Sequence, residues 1–425
     1  LVTALAWSWL GGAAPATAQG VDSKALLVDP GALAAWIAAH HPEVMAAQAG
    51  VRSAEAERRA SRVLQNPSLQ LNVAGLTAGK VRAPASDYGD PINFGVGLQQ
   101  TFEIGKRGPR GAAADLRAEG ARQNKKDVLA QQVAYAREAL GRVVYLHARQ
   151  AILEERVAAA RQVVELEGVR LQHGDISGTD HDRLRLEQAS IERDAADNRA
   201  SLAVALADCA IAVAAPCDVA GASMADVDAA AGLPETLPGG AGDPSKQPSV
   251  RALELEHDAS LEDAALYSHR AIPDPTVGLA YTRDFYTASG AQPHTLGVAV
   301  SIPLPFFDDG SAQADSSRAL AMQAHDEAVA RAAQLRSDVS GLGTRKAALE
   351  HKLGLLGTDL LPLSTSVLSS AEQAFHSGQL SLTDFLLVRR QHSALVLDQI
   401  DTRYELFGVR NALRRALGLD AQEPN

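Results

Sequence analysis

Apolar and polar positions along this chain repeat one pattern twice. Pro42-Glu43-Val44 opens a stretch with helical spacing that runs to Asn66-Pro67, and Pro248-Ser249-Val250 opens a second that runs to Asp274-Pro275. After each X-Pro the period shortens to two, with Leu69, Leu71 and Val73 in the first copy and Val277, Leu279 and Tyr281 in the second. A segment rich in Gly, Pro, Asp and Ser follows, and then a second alternating run. That run is Phe94, Val96, Leu98 in one copy and Leu296, Val298, Val300, Ile302 in the other. The residues between are small or polar: Gly95, Gly97, Gln99 and Thr101, then Thr295, Gly297, Ala299 and Ser301. One apolar face and one small, polar face suit a strand between lipid and a watery lumen. A half-buried soluble hairpin would show the same alternation once; two matched hairpins favour the membrane.

Each hairpin leads into a very long helical pattern, from about Pro109 to Gln172 and from about Ser311 to Phe375. At the rise of an α-helix, about 64 residues make a rod of roughly 95 Å. Pro109 suits a first helical turn, where its missing N–H costs nothing, and Pro362 should bend the second rod. Gly141, Gly341, Gly343, Gly354 and Gly357 lower intrinsic helicity, so packing must compensate. Both rods end at matched turns, His173-Gly174-Asp175-Ile176-Ser177-Gly178-Thr179-Asp180 and Ser377-Gly378-Gln379-Leu380-Ser381-Leu382-Thr383-Asp384. Glycine ends one helix and Ser, Thr or Asp caps the next, which makes a tight helical hairpin. Return helices should run to about Ala207 and about Leu417, and the Pro- and Gly-rich segment from Pro216 to Pro248 reads as a connector.

The expected organisation is therefore a first repeat over 19–208, a connector over 209–247, a second repeat over 248–418 and a tail over 419–425. The apolar stretch from Leu1 to Leu10 and the A-x-A pattern Ala16-Thr17-Ala18 read as a secretory signal over 1–18, whose start is expected to precede Leu1. No segment has the roughly 18 consecutive apolar residues of a spanning helix, so a membrane-crossing part must use strands. Only 4% of residues are aromatic against 46% hydrophobic, and 21% are charged, a balance suited to long, closely packed helices. The net charge of −11 gives no general attraction for phosphate backbones, so no nucleic-acid partner is expected. In an oxidising compartment Cys209 and Cys217 are candidates for a local disulfide, with two buried thiols as the alternative.

With helix, two strands, long helix, tip and return helix in place twice, the chain resembles the TolC-like outer membrane factor family over nearly all of residues 19–425. Within it, the sequence is similar to the CzcC-type channels of metal efflux systems. The residues carrying this are Gln99-Gln100-Thr101-Phe102-Glu103-Ile104-Gly105-Lys106-Arg107-Gly108 and Ile302-Pro303-Leu304-Pro305-Phe306-Phe307-Asp308-Asp309-Gly310, where strand gives way to rod. Ile176-Ser177 before Asp180, followed by Arg183 to Glu187, adds to it at the first tip. The resemblance implies an α+β, internally duplicated chain whose rods form a long coiled-coil helical barrel. Each chain of a homotrimer would give four strands to a twelve-stranded transmembrane β-barrel. Four strands alone leave open edges that lipid cannot satisfy, so closure by other copies follows from physics as well. Leu69, Leu71, Val73, Phe94, Val96, Leu98, Val277, Leu279, Leu296, Val298 and Val300 are the residues expected to face outer-membrane lipid.

The resemblance further implies an outer membrane location with a long periplasmic extension. It also implies a periplasmic adaptor and an inner-membrane resistance-nodulation-division pump as partners. Gly174, Ile176, Ser177, Asp180, Gly378, Leu380, Ser381 and Asp384 at the tips would dock the adaptor. Asp384 is the candidate gate, as an acidic ring of three copies, although Leu387 stands where some relatives place a second acid; the plainer role for Asp180 and Asp384 is helix capping. Exported metal cations are the cargo this branch implies, with a drug-efflux or type I secretion duct as the alternative. A soluble periplasmic coiled-coil scaffold is the reading from a different class.

No G-x-S-x-G, Walker, H-E-x-x-H or dinucleotide fingerprint occurs, so neither an enzyme nor a cofactor is expected. His173, Asp175, Asp180, His181 and Asp182 crowd the first tip, but a turn needs polar residues in any case, and no resident metal is expected. Lys106 and Arg107, where a strand would leave the bilayer, are expected to reach lipid headgroups, and His40-His41 to be a solvated helix start.

Overall fold

The computed structural model describes residues 22–74, 93–234, 242–284 and 294–420. The secretory-signal segment and most of the tail lie outside the described residues. The order of elements is α1 (Ser23–Val28), α2 (Pro30–His40), α3 (Pro42–Ala60), β1 (Ser68–Ala74), β2 (Asn93–Thr101), α4 (Arg107–His173), α5 (Gly178–Val213), α6 (Met224–Ala230), α7 (Pro248–Ser268), β3 (Thr276–Asp284), β4 (His294–Ser301), α8 (Ser311–Leu355), α9 (Leu361–His376) and α10 (Leu382–Ala416). The duplication is plain: α3-β1-β2-α4-α5 is repeated by α7-β3-β4-α8/α9-α10. The chain forms two compact units, and each draws on both copies. One comprises Leu1–Ala46, Lys126–Gln247 and Ala333–Asn425; the other comprises Ala47–Lys125 and Pro248–Ala332.

In the second of these units the strands form one antiparallel sheet in the order β1-β2-β3-β4. The register aligns like with like. Val73, Phe94, Arg283 and His294 make one row across it, then Leu71, Val96, Tyr281 and Leu296, then Leu69, Leu98, Leu279 and Val298. Directly opposed residues of an antiparallel pair share a face, so all eleven positions expected to be apolar and outward lie on the same side. The other face holds Gln70, Asn72, Gly95, Gly97, Gln99, Gly278, Ala280, Thr282, Thr295, Gly297 and Ala299. There Gln70 and Gln99 exchange side-chain hydrogen bonds at 2.9 and 3.0 Å, and Thr101 and Thr276 hydroxyls meet at 2.9 Å.

Where the sheet gives way to helices, ion pairs fix the turn. Lys106 Nζ donates to Asp274 Oδ2 at 2.7 Å and to the Ile272 carbonyl at 3.0 Å, while Ile104 N donates to Asp274 Oδ1. Arg110 holds Glu103 through two bonds of 2.6 and 2.8 Å. Lys106 is thus committed inside the protein rather than reaching for lipid, and Arg107 donates to the Arg62 carbonyl. The reason is local: the acid before Pro275 sits beside the ammonium, and a close pair outweighs a solvated one. Gly310 turns the chain into α8 at φ +81°, with a Cβ excluded by the Tyr267 carbonyl, which would lie 2.2 Å away.

The other unit has its core among α1, α2, α4, α5, α6 and α10, built on Leu27, Leu33, Ile37, Leu129, Val133, Leu140, Val143, Val213, Val227 and Phe407. Gly141 does more than weaken a helix. A Cβ there would meet the Phe407 ring at 2.4 Å, so the glycine lets α10 place an aromatic ring against the α4 backbone. Arg137, fully buried on α4, is bonded by Asp420 through both guanidinium nitrogens and by Asn411 Oδ1 at 2.8 Å. Cys209, near the end of α5, is joined to Cys217 just past it, with Cα atoms 5.9 Å apart. His40 stacks on Trp36 with ring centroids 3.7 Å apart. His41 departs from the solvated reading: it is buried at the junction where α2 ends and α3 begins at Pro42.

Boundaries shift for identifiable reasons. The first helix ends at Ala60, short of Asn66, because Arg62 and Val63 close a turn on the Arg59 and Ala60 carbonyls. The first return helix continues past Ala207 to Val213, where Ala214 takes a left-handed conformation. The second rod is interrupted before Pro362. Proline has no N–H for the Thr358 carbonyl, and residues Leu356–Leu360 widen into a π turn, with Leu361 N donating to Leu356 O.

Candidate functional site

Two regions carry the expected function, the outer face of the sheet and the helical tips. On the sheet, Leu71, Leu296 and Val298 are each more than 70% exposed, and the rest of their rows are exposed too. So large a contiguous apolar surface is not a water-facing one. Below it, Phe102, Ile302, Leu304, Phe306 and Phe307 are exposed at the helix end of the strands. At the opposite end the row containing Arg283 and His294 closes the band. The edges β1 and β4 have no partner strand among the described residues.

The tips are built alike. At the first, Gly174 has φ +81°; its N–H donates to Leu171 O and that of Asp175 to Arg170 O. At the second, Gly378 has φ +76°, with Gly378 N donating to Phe375 O and Gln379 N to Ala374 O. Both are Schellman ends, which require the left-handed residue that glycine supplies cheaply. Ser177 Oγ then accepts from Asp180 N and donates to Asp180 Oδ2 at 2.7 Å, and Ser381 does the same with Asp384. Serine is therefore the cap in each turn. Asp180 and Asp384 are its third-position partners, since only the serines have the extended backbone of a cap.

Asp384 is exposed, Ile176 and Leu380 are half-buried, and a Cβ at Gly174 or Gly378 would meet nothing within 4 Å. The two turns thus offer open backbone flanked by an apolar side chain and a hydroxyl. Phe375 and Phe385 stack behind the second turn at 4.7 Å. Among the described residues no three His, Cys, Asp or Glu side chains gather as a metal cluster. His181 lies against α4 at Gly168, and Asp180 is engaged by Ser177 and Arg183.

Above the tips lies a feature missed in the sequence. Glu187 of α5 accepts from Arg390 Nε of α10 at 2.9 Å, joining the two return helices. Arg156 and Arg389 line the same cavity, and burial pushes the basicity of both guanidiniums down, with Glu187 opposing the shift. Glu187 stands inside the Arg183-to-Glu187 motif, but its partner is 203 residues away, beyond any local pattern.

Comparison with known proteins agrees with this geometry. Residues 245–419 match the family model described as outer membrane efflux protein. The cobalt-zinc-cadmium resistance protein CzcC of Cupriavidus metallidurans is 25% identical over 332 residues, 78% of this chain and 75% of that one. Among solved structures, CusC superposes with a TM-score of 0.77 at 16% identity, covering 95% of each chain. VceC of Vibrio cholerae gives 0.73 at 16% identity, over 92% of this chain and 96% of that one. Residues 245–419 thus resemble the outer membrane efflux proteins, and the chain as a whole shares the fold of CusC and VceC.

Proposed function

We propose that this chain, as a homotrimer, is the exit duct through which a tripartite efflux system releases metal cations across the outer membrane. An inner-membrane resistance-nodulation-division pump supplies the energy, and a periplasmic adaptor engages the tips at Gly174, Ile176, Ser177, Asp180, Gly378, Leu380, Ser381 and Asp384. The observation that carries the duct is the sheet. Eleven apolar side chains cover one face, small and amide side chains cover the other, and two edges stay open. The cargo assignment is supported by the likeness to a cobalt-zinc-cadmium resistance protein. Asp384, exposed beside the second turn, is the gate candidate, because three acids near a common axis attract cations.

The test is growth and uptake of cells lacking this chain, with and without complementation. Hypersensitivity to zinc, cobalt or cadmium, with raised cellular metal and unchanged susceptibility to lipophilic drugs, is expected. The reverse, drug hypersensitivity with normal metal content, would assign the duct to drugs and overturn the cargo.

A further inference from the structure

We propose that His257 and His325 form a two-histidine site for a divalent transition-metal cation of the zinc and copper type, held between α7 and α8. Both residues belong to the unit that carries the sheet. Their ring centroids are 5.5 Å apart and the ring planes are tilted by 51°. That is not a stack, for Trp36 and His40, which do stack, are 3.7 Å apart at 19°. It is the spacing of two imidazoles that share an ion. With metal–nitrogen bonds of about 2.0–2.1 Å, two rings on one tetrahedral or trigonal ion have their centres about 5.2–5.5 Å apart.

A hydrogen bond fixes the tautomer. His257 Nδ1 lies 2.9 Å from the carbonyl oxygen of Ala321, which is one turn before His325 on α8. A carbonyl only accepts, so Nδ1 carries a proton, and in the neutral ring Nε2 is left with its lone pair. Metal-ligating histidines are arranged in this way, the second nitrogen donating to a carbonyl or carboxylate that orients the ring. Among the described residues no hydrogen bond engages His257 Nε2 or the His325 ring. His325 is exposed and His257 half-buried, so an ion reaches the pair from water. Asp258 and Asp326 adjoin the histidines in sequence, but consecutive helical residues point about 100° apart. Glu254, one turn back on α7, is held by Arg251 at 3.0 Å. The protein therefore supplies two ligands and water the others, which suits an ion taken up and released. Imidazole selects zinc, copper or nickel over magnesium and calcium, which prefer oxygen. A bound ion would tie α7, which leads into β3, to α8, which follows β4.

Tag-free full-length protein in a nonionic detergent, stripped with a chelator, is titrated with Zn²⁺ by calorimetry, and one equivalent of Cu²⁺ per chain is examined by electron paramagnetic resonance. His257→Gln and His325→Gln should each weaken Zn²⁺ binding at least about ten-fold, since even an outer-shell partner of a metal ligand is worth about that. The double variant should lose little more than either single one, because a lone imidazole no longer chelates; two independent histidines would give additive losses. His351→Gln, which alters an exposed histidine further along α8, should bind as the unaltered protein does, and Mg²⁺ should not compete. The Cu²⁺ spectrum should show coupling to two imidazole nitrogens. Unchanged affinity in either single variant, additive losses in the double, an equal loss in His351→Gln, competition by Mg²⁺, or coupling to one imidazole in the unaltered protein would each overturn the site. The spectrum of unaltered protein decides the matter even where a variant does not assemble. Normal metal content in cells lacking the chain would remove the cargo assignment and spare this site, while metal hypersensitivity with no binding at the pair would do the reverse.

Discussion

At the residue scale, side chains that look interchangeable in the sequence separate once the sheet register is known. Val96 and Gly97 are neighbours in the chain but face opposite ways, and a Cβ at Gly97 would stay at ordinary contact distance, 3.5 Å from Leu279 O. Val96→Arg is expected to cost about 2–4 kcal/mol per copy and to deplete assembled protein in the outer membrane, while Gly97→Ser leaves it unchanged. Equal yields for the two on heat-modifiable gels would argue against a lipid face. Asp420 poses a different question, because it is buried near the chain's end with Arg137 and Arg414 both on its carboxylate. Asp420→Asn keeps the shape and removes the charge, leaving Arg137 buried without a counterion. A loss of roughly 3–5 kcal/mol is expected, read as a lower melting temperature in detergent. Nothing in the sequence near position 420 signals the buried partner, since Arg137 lies 283 residues away on α4.

At the element scale, the duplication made most of the fold legible. Alternation at Leu69–Val73 and Leu296–Val300, helical spacing over the rods and glycine at the two tips are local signals, and the structure has strands, helices and Schellman turns there. Less could be read where distant residues decide. Gly141 carries no local sign that Phe407 will press on it, and Lys106 gives none that Asp274 will claim it. At the tips the sequence left Ser, Thr or Asp as the cap, and the serines take that place, since capping depends on which backbone is extended. That division sharpens a test. Ser381→Ala removes the acceptor for Asp384 N and is expected to cost about 1 kcal/mol, with conductance retained. Asp384→Ala leaves the serine cap and removes the exposed charge, so single-channel recordings in planar bilayers should show a changed conductance and weaker cation preference. Identical recordings for Asp384→Ala and the unaltered protein would reduce Asp384 to a partner of the cap.

At the scale of the whole molecule, the decisive fact is that a single chain makes a sheet with two edges. Each edge strand leaves half of its backbone N–H and C=O groups without a ladder partner, and hydrocarbon offers none, at a cost of several kcal/mol per group. β1 is flanked by β2 and β4 by β3, so within the described residues only another copy can satisfy the far sides. Because β1 and β4 run antiparallel, β4 of one copy can join β1 of the next without breaking the alternation of faces, and the ring closes when the rotation returns to the first copy. Asn72 on β1 and Thr295, Gly297 and Ala299 on β4 all lie on the small, polar face. Asn72→Cys paired in turn with Thr295→Cys, Gly297→Cys or Ala299→Cys should therefore give disulfide-linked dimers and trimers on non-reducing gels for at least one position. Single variants should give none. Monomer alone across all three pairs, in protein recovered from the outer membrane, would mean that the edges are closed by something other than a second copy of this chain.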